Sequence, residues 1–145
     1  MNPSSHKADG TLYEQIFIAK SMSMGLHPHP TIGDYLPHDV IILNDAGRSF
    51  RVQVKGTGAP RKGHTKESCI RYEVTIGTGR NKQPMDCTKV DVIAALVKPL
   101  DTWYLIPCVS IPGNRQSIKF YPHTPGGSKS HSEQFKENWS VFHQI

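Results

Sequence analysis

The sequence predicts an α/β protein in which helices flank a mixed central β-sheet. Three observations carry that class. Residues 10–24 place Leu12, Ile16, Ala19 and Ser23 on one helical stripe, with Tyr13 and Phe17 beside it. Between residues 39 and 121, short segments rich in Val and Ile recur between Gly, Pro and Asn turns. Toward the end, Phe135, Trp139 and Phe142 fall at helical spacing on one face.

Taken in order, residues 1–8 read as a flexible lead. Asp9 is placed to cap a helix running from Gly10 to Met24, with Gly25 stopping it. Apolar residues occupy nearly all sides of this helix, which predicts burial on most of them, and Glu14 is its only acid. The prolines of Leu26-His27-Pro28-His29-Pro30 prevent the helix from continuing. Asp39-Val40-Ile41-Ile42-Leu43 reads as a strand buried on both faces, followed by the turn Asn44-Asp45-Ala46-Gly47. Residues 49–55 return as a strand of period two: Phe50, Val52 and Val54 face one way, Arg51, Gln53 and Lys55 the other. Residues 56–66 form a basic loop, 69–76 a third strand and 77–88 a polar loop. Residues 90–97 are apolar enough for a central strand or a buried helix turn, with Val and Ile favouring the strand, and 102–107 and 116–121 supply two more strands. Ser132 to Phe142 reads as a closing helix, capped by Ser130 or Ser132.

The 145 residues fit one domain spanning 1–145. With 37% hydrophobic and 20% charged residues, the chain can build a core and is neither disordered nor fibrous. No apolar run approaches the ~20 residues a membrane helix needs, and the opening residues lack the apolar core of a secretory signal. A soluble, cytoplasmic protein is expected. Cys69, Cys87 and Cys108 are odd in number and contain no C-x-x-C pair, so buried thiols are expected rather than a disulfide or zinc site. Gly58-x-x-x-x-Gly63-His64-Thr65 has His64 where a phosphate-binding loop needs Lys, so no nucleotide cofactor is expected. Trp103, Tyr104 and Trp139 read as core, and the histidines as surface loop residues except His38, which neighbours Asp39 and is placed to touch a phosphate.

The charge is unevenly spread. The chain carries +5 overall, but −3 over residues 1–47, +7 over 48–89 and +1 over 90–145. A one-sided basic block on a small protein suggests a polyanionic partner, nucleic acid first. Four residues stand out for chemistry. Glu14 interrupts an apolar helix, Asp39 opens an apolar strand, and Gln53 and Lys55 share one face of the next strand. Acids at apolar positions need a partner, and a divalent cation would serve both. Asp39 would be the main ligand, with the Gln53 amide oxygen and Val54 carbonyl on one side and Glu14 assisting. Lys55 would steady charge on a phosphate. Plainer roles for the same residues are a turn cap for Asp39 and a salt bridge of Glu14 with Lys55.

Glu14 in the first helix, Pro37-His38-Asp39 at a strand start and Gln53-Val54-Lys55 about fifteen residues on resemble, in order and setting, the PD-(D/E)XK nuclease superfamily. The branch most similar is that of small group I intron homing endonucleases and archaeal Holliday-junction resolvase-like proteins. Gly25 after the first helix, Val90-Asp91-Val92-Ile93-Ala94, Trp103-Tyr104-Leu105-Ile106-Pro107 and Phe135-x-x-x-Trp139 extend the likeness over residues 10–142. The resemblance implies a restriction-endonuclease-like core and a Mg²⁺-dependent endodeoxyribonuclease, with Mn²⁺ as an alternative ion. It implies Glu14, Asp39, Gln53 and Lys55 as catalytic residues, and an origin in a mobile element or virus. Gln53 departs from the usual Glu or Asp, as the intron-encoded branch also does, and a neutral amide binds Mg²⁺ less strongly. The substrate would be double-stranded or branched DNA, cut by a homodimer or a dimer of dimers. Arg61, Lys62, His64, Lys66, Arg71, Arg80 and Lys82 would contact the backbone, while Asn81 and Gln83 could read base edges. A homing-type nuclease, a junction resolvase and a catalytically silent DNA-binding protein of the same fold are the competing readings. An RNA-binding domain is less well supported, because no strand carries a base-stacking aromatic pair.

The +7 segment has a measurable consequence. With about six phosphate contacts, log K for DNA should fall with log salt at a slope near ~−5. Replacing Arg61, Lys62 and Lys66 with Ala should flatten that slope in a fluorescence-anisotropy titration across salt concentrations. An unchanged slope would place the 56–68 loop off the DNA.

Overall fold

The computed structural model describes residues 3–33, 35–61, 70–77, 83–123 and 131–144, with side chains from Ala8 onward. A helix, α1 (Pro3–Ser23), is followed by seven strands: β1 (His27–Pro30), β2 (Val40–Leu43), β3 (Ser49–Thr57), β4 (Tyr72–Thr75), β5 (Val92–Val97), β6 (Thr102–Pro107) and β7 (Ser117–Phe120). Five of them form a sheet in the order β1-β2-β3-β5-β6. Only β3 and β5 run parallel; the other neighbours are antiparallel. The mixed α/β sheet expected from the sequence is therefore present. Among the described residues, no helix is long and apolar enough to cross a membrane.

α1 begins at Pro3, so residues 3–8, expected as a flexible lead, are already helical and Asp9 lies inside the helix rather than capping it. Its end matches the expectation. Gly25 adopts φ +80°, the Leu26 N–H reaches the Ser21 carbonyl at 3.0 Å and the Gly25 N–H reaches Met22 at 3.0 Å. This pair of bonds is the Schellman closure, which glycine accommodates without strain. Burial is narrower than the composition suggests. Phe17 and Ser21 are buried and Tyr13, Ile16 and Ile18 half-buried, but Leu12 and Met22 remain exposed.

The sheet separates two apolar layers. Beneath α1, Val40, Ile42, Phe50, Val52, Val54, Val92, Ala94 and Leu96 meet Phe17, Trp103, Trp139 and Phe142. The Phe17 ring lies 5.4 Å from Trp103, 6.0 Å from Trp139 and 6.4 Å from Phe142. An aromatic so enclosed stabilises by about 3–5 kcal/mol relative to Ala, a large part of a domain's net stability. This explains how α1 holds with one stripe buried. On the opposite face, Ile93, Ala95, Val97, Tyr104 and Ile106 pack against a separate β4–β7 ribbon through Tyr72, Val74, Ile118 and Phe120. The segments expected at 69–76 and 116–121 are thus strands, but they cover the central sheet instead of joining it.

Three further expectations are corrected. His27–Pro30, read only as a helix stop, is an edge strand; Pro28 and Pro30 are tolerated because β1 pairs on one side only. The closing helix is absent. Two short 3₁₀ helices, His131–Phe135 and Trp139–His143, flank Glu137 at φ +52°. Glu137 donates its N–H to Trp103 at 2.7 Å, accepts the Trp103 N–H at 2.8 Å on Oε1, and accepts Trp139 Nε1–H at 2.8 Å on Oε2. The edge of β6 therefore competes successfully with helix continuation. Finally, Cys87 and Cys108 form a disulfide. The β5–β6 hairpin returns the chain so that the Cys108 N–H donates to the Asp91 carbonyl at 2.9 Å, which brings thiols separated by 21 residues within reach. Cys69 lies outside the described residues.

A bridge closing a loop of that length constrains the unfolded chain by about 3 kcal/mol. Cys87→Ser should therefore lower unfolding free energy by about that amount in urea. Reductant should destabilise the wild type similarly and leave Cys87→Ser unmoved.

Candidate active site

β2 and β3 diverge at Asp39. The register that pairs Val40 with Val52 would carry His38 opposite Val54. The Asp39 side chain intervenes: its Oδ2 accepts the Val54 N–H at 2.8 Å, and its own N–H donates to the Val52 carbonyl at 2.8 Å. From the other side, the N–H and Oγ1 of Thr31 donate to the Asp39 carbonyl at 3.0 and 3.1 Å. The carboxylate is thereby pinned at the start of β2, half-buried. In an antiparallel pair a residue's N–H and C=O leave the strand on the same edge, so the Val54 carbonyl emerges where Asp39 stands.

Gln53 is 7% exposed. Its Nε2 donates to the Pro37 carbonyl at 3.1 Å, which fixes the amide and leaves Oε1 buried with no hydrogen-bond partner among the described residues. An unsatisfied buried acceptor costs about 1–3 kcal/mol. Such an atom, beside the Asp39 carboxylate, is open to a donor or cation that the described residues do not supply. Lys55 is half-buried on the same face of β3, two residues on.

α1 brings the fourth residue. The ring of Tyr13 covers Gly56, the residue after Lys55, and Glu14, the next residue of α1, is half-buried. Burial, and secondarily the Asp9 charge, raises the Tyr13 pKa above the usual phenol value and keeps the hydroxyl protonated. The strand itself is anchored by Arg51. Its N–H and Nε donate to Asp91 Oδ2 at 2.8 and 3.0 Å, and one terminal nitrogen to Oδ1 at 3.0 Å. These bonds hold the Asp91 carboxyl below its ordinary pKa and tie β3 to the head of β5.

Asp39, Gln53, Val54 and Lys55 are thus brought together at one end of β3, and Glu14 lies on the helix that packs over that strand. His38, the one histidine expected beside the site rather than in a surface loop, is 9% exposed. Of the basic residues, Arg61 and Arg71 are adjacent through an N–H···O bond of 2.9 Å, and Arg61 pairs with Glu73 at 3.3 Å. Any phosphate contact by Arg61 would compete with that pair. Lys62, His64, Lys66, Arg80, Lys82 and Asn81 lie outside the described residues. Sequence reasoning missed Thr31, which no motif marks, and the role of the Pro37 carbonyl, although Pro37 opens the Pro37-His38-Asp39 motif. It also missed Tyr13 on Gly56, although Gly56 continues the Val52, Val54 face toward α1.

The described residues contain no cluster of three or more His, Cys, Asp or Glu side chains suited to a metal. The Asp39 carboxylate, an amide oxygen with no donor among the described residues and a strand carbonyl make a different set, all oxygen, which fits a hard divalent cation.

The family model of the PD-(D/E)XK endonucleases matches residues 4–142. The chain belongs to that family. Among solved structures, the bacterial homing endonuclease I-Ssp6803I is similar in fold, with TM-score 0.74, 22% identity, and coverage of 93% of this chain and 90% of that one. Hjc, a Holliday junction resolvase from Archaeoglobus fulgidus, is similar at TM-score 0.50 and 11% identity, covering 80% of this chain and 86% of that one. No curated protein sequence matches the chain. The restriction-endonuclease-like core expected from the sequence is therefore the observed one.

If the orphaned Gln53 oxygen is a cation ligand, Mg²⁺ should raise the melting temperature by mass action. Gln53→Glu, which adds a negative charge to the set, should lower the Mg²⁺ concentration for half-maximal stabilisation roughly tenfold. Gln53→Ala should raise it. Equal Mg²⁺ dependence in all three proteins would remove Gln53 from the ligand set.

Proposed function

We propose that this chain is a divalent-cation-dependent endodeoxyribonuclease of the homing type, cutting double-stranded DNA as a homodimer or a dimer of dimers. The observation that carries the reading is the pairing of a pinned carboxylate, Asp39, with the buried, donorless amide oxygen of Gln53, beside Lys55. Family membership supports nuclease chemistry, and the fold likeness to a homing endonuclease supports the choice within it.

In this reading Asp39, Gln53 Oε1, Glu14 and the Val54 carbonyl would hold Mg²⁺ or Mn²⁺. When bound, such an ion supplies Lewis-acid polarisation of phosphoryl oxygens and acidifies water. The protein's own contributions follow from its geometry. The Val54 N–H and the Thr31 contacts hold Asp39 in one position, so little reorganisation accompanies the reaction. The Lys55 ammonium offsets negative charge that grows on the phosphate as the water–phosphorus bond forms and the phosphorus–ester oxygen bond breaks. Gln53 leaves the site one negative charge poorer than Glu would, which weakens cation binding and lessens repulsion of the phosphate. A two-fold assembly would present one site to each strand.

The fold likeness to a junction resolvase favours a second reading, in which branched DNA shape directs the same chemistry. Cleavage of a random duplex library, a four-way junction and a flap with Mg²⁺ or Mn²⁺ separates the two. Asp39→Asn and Lys55→Ala should each reduce cleavage at least 100-fold while retaining folding and DNA binding. Cutting by Asp39→Asn at the wild-type rate would remove the proposed centre. Binding without cutting by the wild type would make the chain a silent DNA-binding member of the family.

A further inference from the structure

We infer that Tyr13 and Gly56 form a positioning contact that sets the height of Glu14 against the Asp39–Gln53–Lys55 strand end; the inference rests on the reading of that strand end as a cation site. β3 alternates, and Val52 and Val54 turn their side chains into the layer beneath α1. Gly56 is the next residue on that face, and there the layer has no side chain. The Tyr13 ring occupies the space. A Cβ at Gly56 would lie 2.5 Å from Tyr13 Cγ and 2.6 Å from both Cδ1 and Cδ2. These are the inner atoms of a rigid ring rather than the tip of a flexible chain, so any side chain at 56 must push α1 outward. The ring also spans the next turn of chain, because a Cβ on Gly58 would meet the Tyr13 hydroxyl at 3.6 Å.

The consequence falls on Glu14. It follows Tyr13 in an α-helix, where neighbouring Cα atoms are held about 3.8 Å apart, so displacement of the ring carries the carboxylate with it. Further along α1 the Phe17 ring is enclosed by Trp103, Trp139 and Phe142. That end of the helix is fixed, and a push at Tyr13 therefore tilts the helix about Phe17. The movement opens the gap at the Lys55 end of β3. Tyr13 acts through its shape: the ring fills the Gly56 space, and the hydroxyl is not needed for that. Tyr13 is a positioning residue and Glu14 the group it positions.

The test uses the full chain without DNA and titrates Mn²⁺ by the electron paramagnetic resonance of the free ion, with cleavage measured in parallel. Gly56→Ala should weaken Mn²⁺ binding about tenfold and slow cleavage by at least as much. Tyr13→Leu added to Gly56→Ala should recover most of both losses, because the smaller side chain leaves room that the methyl group fills. Tyr13→Phe should match the wild type, and Tyr13→Leu, which fills the space poorly, should weaken Mn²⁺ binding on its own even if Gly56→Ala does not fold. The inference is overturned if Gly56→Ala lowers only the melting temperature and leaves Mn²⁺ affinity within twofold of wild type. It is overturned equally if the double variant recovers nothing, or if Tyr13→Phe behaves like Tyr13→Leu. A wild-type chain that binds Mn²⁺ but cuts no DNA would instead remove the nuclease reading and leave this contact standing. A wild-type chain that binds no Mn²⁺ removes both.

Discussion

The hydrogen bond from the Val54 N–H to the Asp39 carboxylate organises the molecule at the point where two strands separate. A backbone donor in the middle of a sheet needs an acceptor, and the natural one would be the carbonyl of the residue opposite. Here a side chain takes that place. The ladder between β2 and β3 can therefore end without an orphaned N–H, and the carboxylate is held to the strand by the same bond that satisfies it. The loop before β2 is drawn in by the same arrangement, since Thr31 holds the Asp39 carbonyl and Gln53 holds Pro37.

Because β3 is central, its two faces carry different duties. One face, Phe50, Val52 and Val54, is sealed beneath α1 and the aromatic group around Phe17. The other presents Arg51, Gln53 and Lys55. Arg51 is used for architecture, since its bonds to Asp91 set the parallel alignment with β5. Gln53 and Lys55 remain for the proposed chemistry, and the amide oxygen of Gln53 is buried with no hydrogen-bond partner among the described residues. A buried polar atom is retained against its energetic cost when something other than the fold uses it.

The parts of this protein legible in the sequence were those set by local period and local chemistry. The alternation in 49–55 assigned both faces of β3, the apolar run at 90–97 gave a central strand, and Gly25 ended α1. The four residues of the candidate site were nameable because each broke a pattern: an acid in an apolar helix, an acid at a strand start, a polar pair on an alternating strand. What their spacing could not convey was the contacts that hold them, because no local pattern shows which atoms Thr31, Pro37 and Tyr13 meet across the fold.

The elements that differed from expectation were decided by partners distant in sequence. Phe135, Trp139 and Phe142 are at helical spacing and are buried as that spacing requires, yet Glu137 finds two bonds on Trp103 that a helix would deny it, and the helix is lost. Cys87 and Cys108 carry no local sign of pairing; they meet because β5 and β6 turn back on one another. The strands at 72–75 and 117–120 are evident from their residues, but only the closing of the second apolar layer determines that they pair with each other. The sequence by itself determined the central strands, the two faces of β3 and the residues proposed for chemistry, since period and composition act over a few residues. The tertiary structure alone decided that His27–Pro30 is a strand, which strands meet, where the final segment lies and how α1 lies against β3, since each of these depends on contacts between surfaces that come together only on folding.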